Sequence, residues 1–403
     1  MDYLQYDQRQ FEQVGQSESK KIKFDFIGAA FVQCCSVSAL RQTPNNPAWI
    51  MILAILWIGL MVELLHSETQ ASTFDALGGT HKVIANAILR YEDETDHINI
   101  ADRERMRLIA HGGIQSKWHQ QWRTQIRFRT GLKNKQNVPA ITVYKFNDQP
   151  QPDNDVFIDR FFVQGKFDDV TVKAGKIPLQ PHQVTDIFWD HHLNPIGLSV
   201  NYRVSQSHTF YMARVKPLDG ASSTVGDMTV LQWQVNWQVN DWQFGLSPWW
   251  VDYRGEEGAR YAKNDTALDN QFVRISSYVK TGKWQLGFDW GRSLNRAADF
   301  SVRDFQDQTS SYAVELKYGG LKHPGDYLTH FRVFKVERFG VITEFAQNAT
   351  ARFATSNMEG WDIRVRRKMA ENWWLGTRLS DLQRLKGNLE QGKRFRIEAM
   401  YRF

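Results

Sequence analysis

Histidine and carboxylate crowd one short stretch of this chain, with His182, Asp190, His191 and His192 inside eleven residues. Neutral imidazoles and a carboxylate are the ligand types of a zinc site. Adjacent histidines on an extended chain point opposite ways, however, and no helical H-x-x-x-H spacing accompanies them. Solvated or gate-lining histidines fit this pattern better, so no metal and no cofactor is expected. Nucleophilic catalysis would need a serine, a base and an orienting partner on neighbouring elements. His208 and His330 lie on or at strand-like segments, but no feature singles out a nucleophile. Neither a phosphate-cradling glycine loop nor a zinc-finger spacing is present. An enzyme is not expected.

Arginine is the residue whose recurrence carries a pattern. In the terminal segment Phe395, Ile397, Ala399, Tyr401 and Phe403 share one strand face, while Arg394, Arg396, Glu398, Met400 and Arg402 share the other. The alternation returns upstream: Trp122, Thr124, Ile126 and Phe128 oppose Arg123, Gln125, Arg127 and Arg129. Met106, Leu108 and Ala110 oppose Arg105, Arg107 and His111, and Trp361, Ile363 and Val365 oppose Asp362, Arg364 and Arg366. Arg274, Arg332 and Arg378 take the same charged phase. Each strand has one apolar and one charged wall. A soluble core could use one such strand; a chain of them fits a transmembrane barrel with lipid outside and water within.

The predicted strands are 82–92, 103–115, 119–131, 154–166, 169–177, 196–205, 208–217, 228–239, 241–253, 270–280, 283–293, 309–318, 326–336, 359–369, 373–382 and 393–403. Their sixteen-fold, even count returns both ends to one side. Residues 139–146 are assigned to a loop. Links of two to four residues, such as Asn240-Asp241 and Thr281-Gly282, alternate with links of ten to twenty. That asymmetry predicts an all-β, antiparallel transmembrane barrel with short periplasmic turns and long extracellular loops. Trp118, Trp237, Trp242, Trp284 and Trp373 fall beside the short turns, where an aromatic girdle belongs.

A lumen of this width cannot be filled by wall side chains alone. The link 178–195 contains Ile187, Phe188, Trp189 and Leu193, which would be misplaced in solvent, and it is expected to fold inward as the third loop. Trp189, Asp190, His191 and His192 are then the candidate constriction. The lumen's basic lining is Arg105, Arg107, Arg123, Arg127, Arg129, Arg364, Arg366, Arg394 and Arg396. Glu92, Asp289, Glu315, Asp362 and Glu398 answer them, which leaves a basic excess and a moderate anion preference. Pairing of every arginine with a carboxylate is the competing, nearly neutral arrangement. As pH falls from about 7.5 to 5.5, two histidines of ordinary pKa would add positive charge at the gap.

The residues Ala174-Gly175-Lys176, Phe188-Trp189-Asp190 and Leu193-Asn194-Pro195-Ile196-Gly197 resemble the signature of the putative porin family of Gram-negative outer membranes. The resemblance extends over about residues 82–403, including Leu89-Arg90-Tyr91-Glu92 and the terminal Phe403. Relatives often carry acidic or basic residues where His191 and His192 stand. The resemblance implies an outer-membrane channel for passive diffusion of small hydrophilic solutes. A closed barrel serving as a surface lectin or adhesin is the alternative, and a barrel hydrolase stands behind it. Expected partners are outer-membrane lipid, the barrel-assembly machinery through the strand ending at Phe403, and small hydrophilic or anionic solutes. A homotrimer and a monomer both stay open.

Residues 49–71 hold the one long apolar run, Trp49–Val62, and end in Thr69 and Ala71, as a secretory h-region and cleavage site do. Residues 1–48 read as an extended leader or a mis-assigned start, and 72–403 as the barrel. Without residues 1–71 the chain has 45 basic against 37 acidic residues, a net charge of +8. Cys34 and Cys35, the two cysteines, lie upstream of the cleavage site, so a thiolate or disulfide framework is excluded from the barrel. Nucleic-acid binding is excluded too, because the charge would be enclosed rather than displayed as a patch.

Overall fold

The structure is a computed structural model that describes residues 73–131, 139–146, 155–216, 226–254, 269–296, 303–342, 345–346 and 355–403. The expected leader and secretory segment lie outside the described residues. The strands are β1 (Thr73–Ala76), β2 (Gly79–Thr95), β3 (Arg103–Lys117), β4 (Trp122–Gly131), β5 (Ile141–Lys145), β6 (Asp155–Phe167), β7 (Val170–Lys176), β8 (Ile196–Arg203) and β9 (His208–Lys216). They continue as β10 (Asp227–Val239), β11 (Trp242–Arg254), β12 (Asp269–Thr281), β13 (Trp284–Ser293), β14 (Ser310–Gly319), β15 (Tyr327–Val336), β16 (Met358–Ala370), β17 (Trp373–Arg384) and β18 (Gln391–Arg402). Sequential neighbours pair antiparallel, except that β5 pairs with β3 and β4 with β6, and β18 pairs with β2, so the sheet closes on itself.

Sixteen strands make this wall; β1 and β5 are accessories. β1 folds back on β2 as a short hairpin. The segment expected to be a loop, 139–146, contains β5, which corrects that expectation without adding a crossing. β4 pairs with His111–Lys117 of β3, and β5 takes up the ladder at Arg105–Leu108, beyond the end of β4. Its role is to satisfy β3's backbone groups where β4 has left them.

The wall is inverted relative to a soluble fold. Trp284, Leu286 and Phe288 of β13 are exposed on the outside, while Asp289, one residue on, is 3% exposed within. Full closure satisfies the strand hydrogen bonds, which is what allows strands to span a bilayer. Trp118, Trp237, Trp242 and Trp284 are exposed beside the short turns, as a girdle requires. Trp373 is buried instead.

The inner face is not uniformly polar. Toward the long-loop ends, inward positions of β9 to β12 are apolar: Ala213 and Val215, Met228 and Val230, Trp249 and Val251, and Phe272. Ala313, Phe334, Val336, Met358 and Leu382 do the same on β14 to β17. Against them pack two inward groups of residues, one within Ile177–Leu193 and one of Val341, Ile342, Phe345 and Ala346. The second inward group has no counterpart in the sequence expectations.

Candidate functional site

Two glycines set the neck of the loop between β7 and β8. Gly175 and Gly197 are direct partners in the ladder. Gly175 has φ +118°, and a Cβ there would lie 2.4 Å from the Phe161 carbonyl oxygen; at Gly197 it would lie 2.3 Å from that of Arg214. Only glycine permits such approach. Ile177 N–H then donates to the Pro195 carbonyl at 2.9 Å, drawing the neck together.

Beyond the neck, the loop is tied to inner-face side chains on six strands. The Gln232 amide brackets His182, accepting its N–H at 2.6 Å and donating to its carbonyl at 2.7 Å. Nδ1 of His182 lies 2.9 Å from Ser247 Oγ. The Asp289 carboxylate accepts the N–H groups of Val184 (3.2 Å) and Thr185 (2.6 Å). Val184 occupies the space opposite Gly287, where a Cβ would stand 2.0 Å from its Cγ1. Arg332 donates to Asp186 at 2.5 Å. On the opposite side, Arg160 and Asp159 hold the amide of Asn194 at 2.9 and 2.8 Å, and Arg129 donates to the His192 carbonyl at 3.2 Å.

Of the four residues proposed to narrow the lumen, Trp189 is 1% exposed, with its ring centroid 6.2 Å from that of Trp249 and 5.5 Å from that of Phe345. Asp190 is buried, donates its N–H to the Phe345 carbonyl at 2.7 Å and accepts the His192 N–H at 2.7 Å. His191 and His192 are partly exposed. Their ring centroids are 4.0 Å apart, because a turn replaces the extended chain on which adjacent histidines diverge. Ligand-capable atoms of Asp190, His191 and His192 consequently fall within 4.8 Å of one another. Burial raises the Asp190 carboxyl to about 8. It lowers His191 to about 4 and His192 well below the usual imidazole range. Asp186, beside Arg332, is held well below the usual carboxylate range.

The wall arginines are organised by carboxylates. Glu92, fully buried, accepts from Arg105 (2.8 Å) and Arg396 (2.7 Å), with Arg107 at 3.6 Å. Glu94 holds Arg103 at 2.7 Å and Arg394 at 2.6 Å. Asp362 holds Arg332 at 2.7 Å and Arg378 at 3.1 Å, and Asp159 holds Arg127 at 2.8 Å and Arg129 at 3.4 Å. Arg366 lies 3.2 Å from His330. Arg123 stands near the start of β4, opposite Lys117 and Gln164. Much of the anticipated excess is thus paired. Lys317, His330, Arg364, Arg378 and Arg396 nevertheless follow one another across β14 to β18 as direct ladder partners. Arg364 in that row makes no hydrogen bond or ion pair among the described residues.

Sequence periodicity missed Asp159 and Arg160. A β-bulge opposite Arg127 and Phe128 breaks the alternation, and both side chains are buried as a result. Bulges re-aim side chains in this way, frequently beside functional sites. A strict period of two assigns one of the pair to lipid.

A closed antiparallel barrel, greasy outside and charged within, with long loops on one side, is the architecture of the porin class of transmembrane barrels. Residues 70–246 match the model of the family described as putative porin. No curated protein matches the chain. Among solved structures, OprB of Pseudomonas putida at high pH superposes with a TM-score of 0.53 at 11% identity, covering 86% of this chain and 97% of that one. OmpF of Salmonella typhi in complex with daunomycin gives a TM-score of 0.53 at 9% identity, covering 82% of this chain and all of that one. At such identities the likeness shows the fold. The family-model match over residues 70–246 and the fold together place the protein in the outer membrane of a Gram-negative bacterium as a porin-type barrel, and they point to a channel rather than an enzyme.

Proposed function

We propose that the barrel passes small hydrophilic solutes by passive diffusion, with a moderate preference for anions, past a narrowing at Trp189, Asp190, His191 and His192. The carrying observation is Arg364, which makes no hydrogen bond or ion pair among the described residues and stands in direct register within the inward row Lys317, His330, Arg364, Arg378 and Arg396. Basic rings in a pore favour anions. The lining arginines paired to Glu92, Glu94, Asp159 and Asp362, Arg378 and Arg396 of the row among them, shape the wall more than they charge it. Planar-bilayer recording of purified protein under a salt gradient tests this reading. Open channels with an anion-favouring reversal potential are expected, and Arg364→Gln should reduce that bias without a loss of stability. A cation-favouring potential in the wild-type protein would overturn it. A closed barrel with a surface binding role is the second reading, favoured by the apolar packing of two loops inside the long-loop half. Persistent electrical silence would select it. Lipid surrounds the outer face in either case; assembly through β18, whose end is joined to β2 by the Phe403 N–H to Ala85 carbonyl bond of 3.0 Å, and a monomeric or trimeric state belong to the same proposal.

The pH response follows from the loop's own groups. With His191 at about 4 and His192 lower still, both stay neutral from pH 7.5 to 5.5. Ion preference should therefore be flat from pH 7 down to 5.5, contrary to the expectation from ordinary imidazoles. Asp190, raised to about 8, is mostly protonated at pH 7 and gains negative charge above pH 8. Anion preference should fall between pH 7 and 9, and Asp190→Asn should flatten that fall. A response confined to the acid side, abolished by His191→Ala/His192→Ala, would refute this assignment.

Deleting residues 183–192 should enlarge single-channel conductance while the strand ladder persists. It should also lower thermal stability, since Asp289 and Arg332 lose loop partners and two apolar clusters lose Ile187, Phe188 and Trp189. Unchanged conductance and ion preference in the deletion variant would place the loop outside the conducting path.

A further inference from the structure

Arg274 of β12 is 1% exposed, and its Nε, Nη1 and Nη2 all lack hydrogen-bond partners. Its guanidinium carbon lies 5.1 Å from the ring centroid of Trp249, 5.3 Å from that of Phe188 and 5.5 Å from that of Phe272. Three aromatic faces offer a cation some compensation, but they accept none of the five N–H bonds that a guanidinium presents. Arginine also cannot escape by deprotonating. A buried, unpaired charge is among the costliest features a protein can keep. Asp289 belongs to the adjoining strand β13, but it makes no ion pair with Arg274 among the described residues and is engaged by the loop's N–H groups.

Apart from the Asp289 carboxylate, already engaged by the loop, and the Gly340 carbonyl, whose oxygen lies 3.7 Å from the Cβ point of Gly291, the surroundings add donors. The indole N–H groups of Trp249 and Trp189, which belong to the same apolar cluster, are likewise buried without partners. Its ladder partner is Gly291, which has no side chain to pair with it; a Cβ there would be in ordinary contact with Arg274 Cγ at 3.4 Å, the Gly340 carbonyl oxygen at 3.7 Å and Arg274 Nε at 3.8 Å. A fixed, enclosed positive charge and unpartnered N–H donors call for a compact acceptor of charge −1.

We propose that Arg274 holds a small monovalent anion of the halide class behind the inward loop, enclosed by Phe188, Trp249 and Phe272. The anion neutralises the guanidinium and fastens Phe188 of the loop to the wall at β11 and β12. This site is separate from the inward basic row, being enclosed rather than open to passing solute.

Bromide is the probe, and the full-length barrel in detergent is the sample. Crystals grown in bromide should show an anomalous peak against the Arg274 guanidinium. The thermal midpoint of the heat-modifiable form should rise when potassium gluconate is replaced by potassium bromide at constant ionic strength. Arg274→Met, which refills the aromatic cage without charge, should abolish that salt-specific rise. The absence of a bromide peak at Arg274, together with equal wild-type midpoints in the two salts, overturns the proposal, and neither wild-type measurement depends on the variant folding. A salt-specific rise that survives in Arg274→Met also overturns it, because the anion would then be acting elsewhere.

Discussion

Glu92→Gln should be the most damaging single change in the inner wall, lowering stability by about 3–5 kcal/mol, the range for removing one partner of a buried ion network. Glu92 is fully buried and answers Arg105, Arg107 and Arg396, contributed by the strands on either side of it. These are also the strands at which the barrel closes, because β18 meets β2 along Arg394–Glu94, Arg396–Glu92 and Glu398–Arg90. Loss of the carboxylate leaves three guanidiniums sharing one small region, with only the Arg105–Glu94 contact at 3.5 Å left, among the described residues, to offset them. A neutral amide can accept a hydrogen bond but cannot offset that repulsion. The same substitution should raise anion preference, so stability and selectivity should move in opposite directions. Chemical unfolding in detergent micelles measures the first effect and reversal potentials the second. A stability loss below about 1 kcal/mol, the range of an exposed pair, would mean that water screens this cluster and that the wall is far wetter than its burial indicates.

The barrel was legible because lipid and lumen impose opposite demands on alternate residues, a constraint that acts on every crossing strand. The terminal segment Phe395–Phe403 shows it, and so does the Trp237–Trp242 hairpin. What periodicity could not deliver were the places where the constraint is relaxed. β5 repairs a local gap in pairing and carries no crossing pattern of its own. Toward the long-loop rim, Trp249-Trp250-Val251 and Ala213-Arg214-Val215 run apolar on the inner face, because a loop and not water covers them. That signal was present as a doubling of apolar residues at strand ends. It names the existence of a packed segment inside, not which of the long links supplies it.

The inward loop was legible from Ile187, Phe188, Trp189 and Leu193, whose burial solvent could not provide. Its fastening points were not, since Gln232, Asp289 and Arg332 are distant in sequence and look like any other inner-face polar residue. Arg274 shared the phase of the other wall arginines, but a period of two carries no information on partners. It could not reveal that this one guanidinium is enclosed by aromatic rings while most of the others meet carboxylates. The expected basic excess overreached for the same reason: Glu94 and Asp159 were not counted among the answering charges.

Charge placed on the outer face should be costly in proportion to its depth. Phe288 lies near the middle of β13, points outward, and stands across from Ser277 and Val314. Phe288→Arg should therefore cost about 2–4 kcal/mol, the midplane range for a cation facing lipid. Leu286 faces the same way but sits two residues from Trp284 of the girdle, beside the short turn. Arginine there can extend its guanidinium toward the headgroups, so Leu286→Arg should fall at or below the lower end of that range. Gln285 has the opposite phase and lies between Lys280 and Lys317 in the ladder. Gln285→Arg adds a like charge to a hydrated wall and should stay within about 1 kcal/mol, as exposed charge interactions do. Unfolding midpoints in lipid vesicles should accordingly rank Phe288→Arg as the least stable, then Leu286→Arg, then Gln285→Arg. Equal losses at Phe288 and Gln285 would mean that the two faces of β13 meet the same solvent, which no membrane-spanning wall permits.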